Sequence, residues 1–113
     1  MAQQGALAAL TGPDDCILQM QRFCSWRSET VLNGLDALGF DYGRLEKRQS
    51  VSAGIIGTEM TSVEFVKWVL EECHVLIYPG GAIGADYDSL IRITFLQPST
   101  LLAEAFERLR GLL

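Results

Sequence analysis

Histidine is nearly missing from this 113-residue sequence: His74 is the only one, and it stands beside a short supply of lysine (Lys47, Lys67) and of cysteine (Cys16, Cys24, Cys73). Each scarcity closes a class of chemistry. A structural zinc site needs four closely spaced ligands, and three cysteines without a Cys-x-x-Cys pair, one of them next to a single histidine, do not provide them. The serines at 25, 28, 50, 52 and 62 form no Gly-x-Ser-x-Gly elbow, and His74 alone gives no convincing base for a nucleophilic triad. No apolar run approaches the roughly 20 residues that cross a bilayer, and the amino terminus lacks a basic start followed by an apolar stretch. A cytoplasmic protein without a membrane partner is expected. The cysteines are then expected to be reduced and largely buried.

Positive charge is also scarce. The formal net charge is -5 with a pI near 4.7, and the densest basic cluster is Lys47-Arg48, which leaves no footprint for a phosphate backbone and no expected nucleic-acid partner. What remains is ordinary for a globular chain, 49% hydrophobic and 20% charged, and its length suits one domain with one core.

Residues 2–10 are strong helix formers apart from Gly5, with nothing before them to cap the helix. Gly12-Pro13-Asp14-Asp15 reads as the start of a second helix, with proline in the first turn and two carboxylates at the positive end of the dipole. Ile17, Met20, Cys24, Val31, Leu35 and Leu38 hold helical spacing as far as Gly39, giving about seven turns at 3.6 residues each. Met20, Phe23 and Trp26 are candidates for exposed apolar surface. A short or displaced strand is expected somewhere in residues 49–56. Thr61-Ser62-Val63-Glu64 has the form of a capping box, with Phe65, Val66, Val69 and Leu70 as the buried stripe of a helix that ends near Glu72. A strand from His74 to Tyr78 should follow and stop at Pro79-Gly80-Gly81. Pro98 and Ser99 open a last helix with Leu101, Leu102, Ala105, Phe106 and Leu109 on one face. The expected fold is α+β, a small sheet of about three strands packed against helices.

Arg92 sits in the centre of the apolar run Leu90-Ile91-Arg92-Ile93-Thr94-Phe95. In a period-two strand Ile91, Ile93 and Phe95 point one way and Leu90, Arg92 and Thr94 the other. The Arg92 face is either the solvated side of the sheet or a grip for an anion, since a planar, permanently charged guanidinium suits a carboxylate held by two parallel hydrogen bonds. Gly80-Gly81-Ala82-Ile83-Gly84 lacks the Lys-Ser/Thr ending of a phosphate loop and leads into a strand, so it reads as a turn. Asp86 and Asp88 fall short of a calcium motif and read as surface loop charge.

The series Val75-Leu76-Ile77-Tyr78-Pro79-Gly80-Gly81-Ala82-Ile83-Gly84, the Arg92 strand, then the helix opened by Pro98 and closing on Glu104-Ala105-Phe106-Glu107-Arg108-Leu109 resembles the C-terminal end of class I/II aminotransferases. These are fold-type I enzymes that use pyridoxal phosphate. The resemblance extends back through Met60-Thr61-Ser62-Val63-Glu64-Phe65 and the helix opened by Gly12-Pro13, and is weakest over residues 45–57. It implies that residues 1–113 form one domain like the family's C-terminal small domain, with residues 1–10 a remnant of a large-domain helix and the long helix bridging the two domains. It further implies that Arg92 binds the α-carboxylate of an amino acid or 2-oxo acid in a complete enzyme. The family takes its Schiff-base lysine from the large domain, and neither Lys47 nor Lys67 resembles that motif. No catalytic residue, no cofactor-binding residue and no metal ligand is therefore expected in this chain, nor activity or bound cofactor by itself. Two departures stand out: a Gly-Ala-Phe-Tyr-like strand start is absent after Gly43, and Ile83 replaces a usual aromatic. The competing expectation is a non-catalytic interaction or self-association module, in which an exposed apolar face binds another chain or a second copy.

Overall fold

The computed structural model describes residues 1–43 and 49–113; Lys47 and the Lys47-Arg48 pair fall outside the described residues. Helix α1 spans Ala2–Thr11 and buries no residue, although ten residues in isolation are too few for a stable helix in water. Helix α2 spans Asp15–Leu38, with Asp14 in the capping position, so that Pro13 stands just before the helix instead of in its first turn. It stops at Gly39, whose φ of 74° is the left-handed region that favours glycine. The Phe40 amide then donates to the Leu35 carbonyl at 3.0 Å and the Gly39 amide to Asp36 at 3.1 Å, closing the helix end.

Strand β1 (Ser50–Gly54) lies within the segment where a short strand is expected. Helix α3 (Ser62–Cys73) opens on the expected capping box: the Glu64 amide donates to Thr61 Oγ1 at 3.3 Å and the Thr61 amide donates to Glu64 Oε2 at 2.9 Å. Bonding of the ionised carboxylate to Thr61 holds the Glu64 pKa below its usual range. The helix runs through Cys73, and His74 takes a left-handed φ of 57° to close it. His74 therefore ends a helix and does not open a strand. Only Tyr78–Pro79 pairs as β2; two short turns of 3₁₀ helix, Gly80–Ala82 and Ala85–Tyr87, lead to β3 (Leu90–Thr94). The last helix is α4, Ser99–Leu112.

The three strands form one antiparallel sheet in the order β1-β3-β2, so β3 is central. Register places Ser52 and Tyr78 on either side of Arg92 and Ala53 and Pro79 on either side of Ile91. One face of the sheet joins the core: Val51, Ala53, Ile91 and Phe95 are buried with Val31 and Leu35 of α2, Phe65, Val66 and Val69 of α3, and Leu102, Phe106 and Leu109 of α4. Leu70, expected in the buried stripe of α3, is 41% exposed, and Leu101, expected on one face of α4 with Leu102, is 50% exposed. The cysteines are not largely buried either: Cys16 is exposed, while Cys24 and Cys73 are half-buried. The fold is the expected α+β arrangement. No described helix is long and apolar enough to cross a membrane.

Candidate functional site

Alternation along β3 decides where Arg92 points. Ile91 and Phe95 are buried and Arg92 is exposed, so the guanidinium rises from the open face of the sheet. Its Nε donates to Ser50 Oγ at 3.3 Å on β1, two register positions along from its direct partner Ser52. It makes no ion pair among the described residues. Two candidate carboxylates are engaged elsewhere: Asp88 is held by Ser62, and Glu104 pairs with Arg108 at 2.6 Å along α4. A guanidinium carries five donors in a fixed fork, and among the described residues one of them is used, by Ser50.

Beside Arg92 opens a cleft of about 710 Å³. One wall is residues 74–79 and another includes residues 92–94, with Leu102, Phe106 and Leu109 of α4 among the apolar groups that line it. Arg92 and Tyr78 belong to its rim by register, since they face each other across β2 and β3. The Gly80 to Gly84 turns do not line this cleft.

Those turns are held by a polar knot that sequence reading left apart. Ser62, at the first position of α3 and without accessible surface, donates from Oγ to Asp88 Oδ1 at 2.7 Å and accepts there from the Gly81 amide at 2.9 Å. The Ser62 amide donates to the same carboxylate at 3.1 Å. A side chain on Gly80 would collide with the carbonyls of Tyr87 and Leu90, which explains the glycine where the chain folds back on itself. Asp88 thus ties the segment entering β3 to the start of α3. Serine at one site and aspartate 26 residues on carry no local signal of this bond. Asp86 and Tyr87 remain exposed on the second turn.

Lys67 is exposed on α3. No group of three or more His, Cys, Asp or Glu side chains able to hold a metal occurs among the described residues.

No family model matches the chain. Individual proteins do. The LL-diaminopimelate aminotransferase of Desulforudis audaxviator is 33% identical over 114 residues, covering 100% of this chain and 29% of the relative. The aspartate aminotransferase of Bacillus sp. strain YM-2 is 33% identical over 114 residues, 96% of this chain and 29% of that protein. Among solved structures, substrate-bound BacF from Bacillus subtilis superposes with a TM-score of 0.86 at 28% identity, over 97% of this chain and 28% of its own. The chain spans less than a third of the length of the relatives it matches.

Proposed function

We propose a role for Arg92 from the premise that this chain is, by sequence and fold, a C-terminal small domain of the fold-type I aminotransferases. Arg92 is the carboxylate-binding residue of that domain. In a complete enzyme it orients an amino acid or 2-oxo acid so that the substrate Cα lies over the reacting group, a positioning contribution. The observation that carries this reading is the open fork: Arg92 projects from the central strand with one serine hydroxyl as its partner and no described carboxylate paired to it. Burial of Ile91 on the opposite side fixes the strand, so the charge is presented from a rigid element.

Pyridoxal phosphate supplies the electron sink for amino-group transfer when it is bound. On this reading its seat lies outside the described residues, because it requires a lysine in a closed site; Lys67 stands exposed on α3 and Lys47 falls in the undescribed segment. By itself the chain supplies half of a carboxylate site.

The test is a nuclear magnetic resonance titration of the arginine Nε–Hε signals with 2-oxoglutarate, and with the corresponding diamide as a neutral control. The Arg92 signal should move at millimolar 2-oxo acid and not with the diamide. A shift no larger than those of the surface arginines on α4 defeats the assignment.

A second reading, self-association through an uncovered face, is favoured by α1 and the first half of α2, where no residue before Val31 is buried.

A further inference from the structure

A guanidinium offers a carboxylate two kinds of edge with parallel donors: the side, which uses Nε with one Nη, and the end, which uses Nη1 with Nη2. A long side chain standing in solvent samples many rotamers and presents neither edge in particular, and ordering it on binding costs affinity. Arg92 therefore gains from any neighbour that aims it.

The sheet supplies one. Val51 and Ala53 are buried, so alternation puts Ser50 and Ser52 on the open face of β1, the face of Arg92. Ser52 is the direct partner of Arg92 in register, yet the hydrogen bond goes to Ser50, which stands opposite Thr94. Side chains on a strand lean along its direction, and a diagonal neighbour is within reach of a long one. Arg92 thus leans toward the Thr94 end of β3, away from the turns at residues 80–87. The serine itself sits on paired backbone: the Phe95 amide donates to the Gln49 carbonyl at 2.9 Å, so the ladder between β1 and β3 continues past it. Donation of Nε to Ser50 Oγ at 3.3 Å occupies the side edge. The end, Nη1 with Nη2, is the pair of donors left without a partner among the described residues.

We infer that Ser50 is a positioning residue for the carboxylate site: by accepting Arg92 Nε it sets the guanidinium so that a substrate carboxylate is gripped end-on by Nη1 and Nη2, at the Thr94 end of the open face. This rests on the reading of Arg92 as the carboxylate-binding residue and deepens it by naming the edge used and the residue that selects it. A long bond between an exposed guanidinium and a half-buried serine contributes little to stability. The effect of Ser50 is therefore read in binding. What position 50 requires is a hydroxyl oxygen, which threonine also carries and alanine lacks.

Nitrogen-15 magnetic resonance of the arginine side chains in the native chain, Ser50→Ala and Ser50→Thr tests this, first without ligand and then with 2-oxoglutarate. Without ligand, the order parameter of the Arg92 Nε–Hε group should fall in Ser50→Ala and return in Ser50→Thr, with similar melting profiles for all three proteins. With 2-oxoglutarate, the Nη signals of Arg92 should move further than Nε–Hε. Binding should weaken about fivefold in Ser50→Ala, the factor that ordering one long side chain in advance is worth, and lie within about twofold of native in Ser50→Thr. Equal binding by the native chain and Ser50→Ala, or a lowered melting profile with unchanged order and affinity, overturns the positioning role and leaves Arg92 as the carboxylate residue. Movement of Nε–Hε beyond the Nη signals overturns the end-on grip. An Arg92 that loses order in Ser50→Ala while none of the three proteins responds to 2-oxoglutarate overturns the carboxylate reading and the positioning role with it.

Discussion

Ser62 Oγ and Asp88 Oδ1 lie 2.7 Å apart, 26 residues removed in sequence, and the same hydroxyl accepts the Gly81 amide at 2.9 Å. One buried serine thereby joins the start of α3, the first turn after β2 and the residue that leads into β3. Replacing it with alanine leaves the Gly81 amide without its partner and Asp88 Oδ1 with the residue-62 amide alone, beside a position without accessible surface. Ser62→Ala should cost about 1–3 kcal/mol, the penalty for an unmade hydrogen bond at a buried site. Urea melts of the two proteins measure it; a difference below about 0.5 kcal/mol shows that solvent replaces the serine.

Gly34 of α2 packs directly against the Phe106 ring of α4, and an added methyl group would overlap the ring. Two effects oppose each other in Gly34→Ala. Helix propensity favours alanine by about 1 kcal/mol, while forcing extra volume into a packed contact costs typically about 1–3 kcal/mol. Phe106 is itself buried in the core, so its ring has little room to move, the steric cost should win and the variant should be less stable. Phe106→Leu added to Gly34→Ala should then cost less than Phe106→Leu alone. Strict additivity of the two substitutions in denaturant melts counts against the contact.

Much of this arrangement was legible beforehand because its causes are local. Thr61 and Glu64 make the bonds their spacing implies, Gly39 stops α2 with a positive φ, and the alternation of Ile91, Arg92 and Phe95 sorts β3 into a buried and an open side. The failures have non-local causes. Residues 74–78 carry the composition of a strand, but α3 extends through Cys73 and the turn at His74 brings only Tyr78 and Pro79 into register with β3. Cys16 and Cys24 were expected inside because cysteine is usually buried; they lie on the part of α2 that runs past the core. Asp88 looked like loop charge because its partner is distant in sequence. For the site, the strand and its face were readable from the alternation around Arg92, whereas the lack of a paired carboxylate among the described residues follows from Asp88 and Glu104 being taken by Ser62 and Arg108.

The capping box gives a pH dependence of known sign. Glu64 accepts from the Thr61 amide and hydroxyl, which lowers its pKa in the folded chain relative to the unfolded one. A depressed carboxylate contributes stability that is fully present above its unfolded pKa and is lost as pH falls through the folded value. The native chain should therefore lose stability on acidification through the carboxylate range more steeply than Glu64→Gln. Parallel stability curves for the two proteins from neutral pH to about pH 3 would sink this expectation. At neutral pH, Thr61→Ala should cost about 1 kcal/mol, as for other caps of this type.

Arg92 itself separates a carboxylate site from a structural ion pair. A guanidinium clamped by an internal carboxylate leaves a charged partner stranded when it is removed, and the loss is large. In this chain Arg92 is exposed, its bond to Ser50 Oγ is long at 3.3 Å, and neither Asp88 nor Glu104 reaches it. Arg92→Ala should thus change stability by no more than about 0.5 kcal/mol, the usual range for exposed positions. The same substitution should abolish the response of the open sheet face to 2-oxo acids, and Arg92→Lys should restore it only weakly, because an ammonium cannot offer two parallel donors to one carboxylate. Melts and anion titrations on the three proteins read both quantities. A large loss of stability with an unaltered anion response would mean that Arg92 serves the fold and that the carboxylate site lies elsewhere.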